Sequence, residues 1–150
     1  MKVTHEEADL IIANQVVSAV LEGEDSILVM CDDTDVFLLL MHFYISKNLK
    51  AKIFMQGTKG KRRCIDIGKP AVTNKSIVPS LLSFHALTGC DSVPGYHSIG
   101  KVGALGVLKK SKLIKIGNPS ATTEEVLHEG KIFLSQCYKT NPQDDMSITR

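Results

Sequence analysis

Apolar residues recur with two different periods along the first part of the chain. Over 5–22, Ala8, Ile11, Ile12, Val16, Ala19 and Val20 fall at the spacing that lines one face of an α-helix. Leu10, Val17 and Leu21 add a second stripe, which predicts a helix covered on more than one side. Thr4 with Glu7 has the form of a capping box, and Gly23 supplies the stop. Residues 26–31 (S-I-L-V-M-C) are instead continuously apolar and few, the mark of a strand buried on both faces. That run ends in three aspartates, and helical periodicity resumes over 36–46.

Residues 51–56 predict a second strand, 58–61 a turn and 63–67 a returning strand. Three helices are expected after that. The first covers 76–88, with Pro79 in a first turn that tolerates its missing N–H. The second covers 100–111, where Gly103 and Gly106 each cost about 1 kcal/mol relative to alanine. The third covers 124–138, opened by Thr122 and Glu125 as a capping box. From 141 the chain is polar and expected to fray. This alternation is that of an α/β fold with a parallel sheet covered by helices. No repeat or linker interrupts it, which favours one unit with an α/β part over 5–75 and a helical part over 76–140.

Composition narrows the class without naming a chemistry. At 150 residues, with 43% hydrophobic and 23% charged positions, the chain can bury a real core and is unlike a disordered protein. The longest apolar run, 36–41, is far too short to span a bilayer, and no membrane partner is expected. The acid-rich start at His5, Glu6, Glu7 and Asp9 is unlike a signal peptide. The net charge of +2 does not announce a nucleic-acid binder, although basic residues gather at 59–63 and 101–115, most simply as solvated surface. None of the four cysteines (Cys31, Cys64, Cys90, Cys137) forms a C-x-x-C pair, which argues against zinc. Reduced thiols fit a nuclear or cytoplasmic protein.

The candidate chemistry is acidic. In C-D-D-T-D-V, residues 31–36, carboxylates follow a predicted buried strand and so stand at the carboxyl edge of a parallel sheet, where open α/β folds keep their sites. Such clustering needs compensation, and a hard divalent cation, Mg²⁺ or Mn²⁺, supplies it. Helix capping is the plainer role for any one of these aspartates. A second group, Glu6-Glu7-Ala8-Asp9, opens the first helix, where helical phase does not choose between Glu6 and Glu7. The third piece is the Gly/Pro-rich loop around L-T-G-C-D-S, 87–92, leading to S-I-G-K at 98–101. There Gly100 and the first N–H groups of the next helix make a ready anion site. His42 and His85 read as packed core histidines rather than bases. His97 and the basic tip at 59–63 read as exposed loop polarity, and Cys90 has no partner pattern for a nucleophile.

In order and spacing, E-E-A-D, D-D-T-D and L-T-G-C-D-S followed by S-I-G-K resemble the flap-endonuclease branch of the PIN-like superfamily. The pattern D-T-D-V-x-L-L with H-A-L-T-G-C-D also resembles asteroid-type members of that superfamily. The resemblance covers roughly 5–110 and implies a three-layer α/β domain with a helix-two-turn-helix-like region. It further implies a nuclease hydrolysing phosphodiesters with two divalent ions. By the same resemblance Glu7, Asp33, Asp35 and Asp91 hold the metals, and Gly100 and Lys101 grip the backbone of nucleic acid, DNA first. The sequence departs from the family in four places: His5 stands where the first glutamate falls, Ser92 where a tyrosine is usual, the family's G-I-G-P-K turn is reduced to S-I-G-K, and no strand with an essential aspartate precedes the glutamate helix. The expectation is therefore a nuclease-like domain that is inactive alone and needs a preceding segment or a partner chain. Two alternatives remain open at this stage. One is a nucleic-acid-binding module without chemistry. The other is a haloacid-dehalogenase-type phosphatase with Asp33 as nucleophile.

Overall fold

The computed structural model describes residues 8–58, 64–90 and 94–140. Two compact units divide at Pro79 and Ser80. The first holds α1 (Ala8–Leu21), β1 (Ser26–Met30), α2 (Thr34–Ser46), β2 (Lys52–Gln56), β3 (Cys64–Asp66) and α3 (Gly68–Thr73). The division falls in the first turn of α4 (Val78–Thr88), and the second unit continues with α5 (Lys101–Leu108) and α6 (Thr123–Tyr138). The expected α/β class holds at this level. Among the described residues no helix is long and apolar enough to cross a membrane.

In the first unit the strand order is β1-β2-β3. β1 and β2 run parallel, with Ser26 beside Lys52 and Met30 beside Gln56. β3 returns antiparallel, with Met55 beside Ile65. The all-parallel sheet expected from the alternation is thus corrected to a mixed one. The cause is the connection: 57–63 is too short for the crossover of a dozen or more residues that a parallel return requires. Val36, Leu40 and Met41 of α2, Ile53 and Met55 of β2, and Ile67 and Ala71 beyond β3 are buried and form the core with Ala13 and Val16 of α1. α1 packs on α2, and α2 on α3.

Two further expectations are corrected here. β1 is not covered on both faces: Val29 is buried, but Leu28 and Met30 are about half exposed, at 53% and 52%. Among the described residues β1 is the sheet's edge, which a run of apolar letters cannot reveal. Likewise α1 buries only Ala13 and Val16, and its second stripe is covered only in part: Leu10 and Val17 are half-buried, while Leu21 is 77% exposed. α1 does end as expected, with Gly23 at φ +108°. Its proposed cap at Thr4 and Glu7 lies outside the described residues. α3 was not legible in the pattern, because Gly68 and Pro70 break the apolar period; Pro70 is tolerated in the first turn, where an N–H has no helical partner. His42 is half-buried in α2, where desolvation lowers its pKa below the ordinary imidazole value. Its Nδ1 has no hydrogen-bond partner among the described residues.

In the second unit, Thr122 and Glu125 form the expected capping box. The Glu125 N–H donates to Thr122 Oγ1 at 3.2 Å, and the Thr122 N–H donates to Glu125 Oε2 at 2.9 Å. Phe84 and Phe133 meet edge to face with centroids 6.3 Å apart. After α4 the backbone doubles back on itself. A Cβ on Gly89, at φ +99°, would come within 2.6 Å of the Gly95 backbone, and one on Gly95 within 2.7 Å of the Thr88 carbonyl oxygen. Only two glycines allow that crossing.

Candidate metal centre

Because β1 and β2 are parallel, the residues that follow them emerge on the same edge of the sheet. Asp32, after β1, accepts hydrogen bonds from the N–H (2.9 Å) and the hydroxyl of Thr58, after β2. This contact ties the two loops together and gives Asp32 a structural role within the acidic run. Asp33 is the N-cap of α2, its Oδ1 accepting from the Asp35 N–H at 2.8 Å. Asp35 lies in the first turn of that helix, where the free N–H groups favour negative charge.

The first turn of α1 brings a third carboxylate to this edge. Asp9, Asp33 and Asp35 can each present an oxygen so that the three lie within 4.8 Å of one another, and all three residues are half-buried. At 4.8 Å a pair of carboxylates repels by about 1 kcal/mol in a water-like medium and about 3–4 kcal/mol at an effective dielectric near 20. A divalent cation removes that cost. Two oxygens bound to one Mg²⁺ at about 2.1 Å stand at most about 4.2 Å apart, so these three close on a single ion with shifts of about an ångström or less. An all-oxygen donor set suits Mg²⁺ or Mn²⁺ rather than zinc. The residues therefore fit the cation that the sequence led us to expect.

The described residues include two of the four expected ligands. Asp33 and Asp35 are brought together. Glu7 and Asp91 lie outside the described residues. Asp9, which the sequence offered only as an acidic first-turn residue, joins Asp33 and Asp35. The signal that could have found it was its position on the helix.

Gly100 and Lys101 belong to the second unit. Gly100 is the N-cap of α5, with extended backbone and no side-chain cap. Lys101 is exposed, and its Nζ lies 3.3 Å from His85 Nδ1. The preceding loop is pinned by the Tyr138 hydroxyl, which donates to the His97 carbonyl at 2.7 Å. All four cysteines are free thiols, with Cys64 exposed and the others half-buried. Burial pushes the Cys137 pKa up. Comparison with known proteins finds no matching family model, no similar curated sequence and no similar solved structure.

Proposed function

We propose that the first unit carries the carboxylate part of a divalent-metal-dependent, nuclease-like site that acts on phosphodiesters of nucleic acid, DNA first. The observation that carries this reading is the convergence of Asp9, from α1, with Asp33, the N-cap of α2, and Asp35, in its first turn, at the carboxyl end of a parallel strand pair. The resemblance of the three acidic and glycine motifs to the flap-endonuclease branch supports it. When bound, a divalent cation would neutralise phosphate charge and make water a better nucleophile. The chain's own contribution is positional. Asp33 holds Asp35 through the cap bond, and the Asp32–Thr58 contact fixes the loop that bears both. The fuller picture, a PIN-like domain with two ions and with Glu7 and Asp91 as further ligands, belongs to the same proposal.

Calorimetric titration with Mn²⁺ tests the site. Binding is expected in the wild type and is expected to vanish in the Asp33→Asn/Asp35→Asn double variant. Unchanged binding in that variant overturns the reading. Incubation with Mn²⁺ and a branched DNA duplex tests the chemistry, since cleavage that survives the same double variant does not arise here.

A second reading is a nucleic-acid-binding module without chemistry. It is favoured by the start of α5, which has a backbone-only cap at Gly100, no acidic residue in its first turn, and exposed Lys101 and Val102. It requires duplex binding that weakens steeply with salt and survives loss of the carboxylates.

A further inference from the structure

The second unit contains a groove, independent of the acidic site, whose walls are held unusually firmly for an irregular segment. Residues 111–116 have no helix or strand of their own, yet side chains fix their backbone from two directions. From α4, the buried Ser80 hydroxyl donates to the Leu113 carbonyl at 2.9 Å and accepts from the Leu113 N–H at 3.2 Å. Ser83 donates to the Ile116 carbonyl at 2.7 Å. From α6, the Glu129 carboxylate accepts three successive N–H groups: Ile114 on one oxygen at 2.8 Å, and Lys115 and Ile116 on the other at 2.8 and 2.9 Å. A carboxylate engaged in this way serves the segment as a helix turn would, by satisfying its donors.

Between this segment and α6 lies a cavity of about 420 Å³. That volume is typical of small-molecule pockets, which span roughly 300–1,000 Å³. Leu113, Ile132 and Phe133 supply apolar lining, and Lys112, Lys115, Glu125 and His128 supply polar groups. The polar groups are not equivalent. Glu129 is committed to the backbone, and Glu125 is committed to the Lys115 ammonium at 2.5 Å and the Thr122 N–H. Among the described residues, Lys112 and His128 make no hydrogen bond or ion pair, and both are exposed. The unspent polar capacity of the pocket is therefore of donor type, above an apolar floor.

We propose that this groove binds a small amphipathic acid, a planar apolar body carrying one anionic head. The body lies against Leu113, Ile132 and Phe133, and the head meets Lys112 and His128. Charge and shape select together. The apolar lining disfavours simple inorganic anions, while the carboxylates of Glu125 and Glu129 already accept from Lys115 and from backbone N–H groups. Specificity for the acid rests on the two unpartnered donors.

The test uses the full chain, ¹⁵N-labelled, titrated with 2-naphthoate and separately with the neutral 2-naphthylmethanol. Naphthoate is expected to shift the amide resonances of 112–116 and 128–133 and to bind about tenfold tighter than the alcohol, the factor that about 1.4 kcal/mol of charge recognition supplies. Both Lys112 and His128 are exposed, so the Lys112→Ala/His128→Ala variant is expected to fold. Its naphthoate affinity should fall to that of the alcohol. Absence of shifts at millimolar naphthoate, shifts confined to other residues, or equal affinity for acid and alcohol overturns the proposal. None of these outcomes depends on the metal site.

Discussion

Asp33 has two roles that one pair of substitutions separates. It caps α2 through its bond to the Asp35 N–H, and it stands within the three-carboxylate group. Alanine removes both roles, and loss of an aspartate cap costs about 1 kcal/mol. Asparagine caps about as well as aspartate but carries no charge. Without metal, Asp33→Ala should therefore lower Tm by about 2–4 °C. Asp33→Asn should leave it unchanged or raise it, because a repulsive charge is gone. With Mn²⁺ at about 100 times Kd, linkage adds about 2.7 kcal/mol to the wild type, a rise of about 5–10 °C. Neither variant should show that rise. Asp32→Asn is the control: it weakens the contact to Thr58 and so lowers Tm, but it should keep the response to Mn²⁺. Thermal unfolding followed by circular dichroism, with chelator and with Mn²⁺, reads all of this. A full Mn²⁺ response in Asp33→Asn, or none in the wild type at millimolar Mn²⁺, refutes the assignment of these carboxylates to a cation.

Three other outcomes are expected. Glu129→Ala leaves three N–H groups without their acceptor and should cost about 2–3 kcal/mol in urea unfolding, with Glu129→Gln recovering part of it. Gly95→Ala forces a methyl group to within 2.7 Å of the Thr88 carbonyl; the strain should cost about 1–3 kcal/mol, read as a lower urea midpoint. The hydrogen bond from Lys115, with that from the Thr122 N–H, holds the Glu125 carboxyl below its ordinary range. The folded state then binds a proton less readily than the unfolded one, so this stability is complete above the ordinary carboxylate value and is lost as pH falls through the folded one. Urea midpoints measured from neutral to acid pH should fall less steeply in Lys115→Met than in the wild type.

How far the sequence reached depends on what each residue's role requires. Local devices were readable. The Thr122–Glu125 capping box, the Gly23 stop and Pro79 in a first turn are decided within a few residues, and each occurs where the pattern places it. Asp33 and Asp35 were readable because acids that follow a strand are carried to the sheet's edge whatever surrounds them. Tertiary facts were not. Whether Leu28 and Met30 are covered depends on which neighbours a strand has, and whether β3 runs parallel depends on the length of its connection. That Asp9 joins Asp33 and Asp35 depends on helix phase, which the apolar residues of α1 left loose by lying on more than one face. The three-fold use of Glu129 was invisible because its partners are backbone N–H groups, which every sequence possesses.

The outer margin of the sheet also bears on how this protein behaves at high concentration. β1 carries the half-exposed side chains of Leu28 and Met30 and, among the described residues, pairs on one side only. A strand left in that state offers main-chain donors and acceptors as a template for a neighbouring molecule. Colloidal behaviour should therefore be governed by this margin more than by net charge. Met30→Lys, which sets a cation on it, should raise the concentration at which light scattering first detects association.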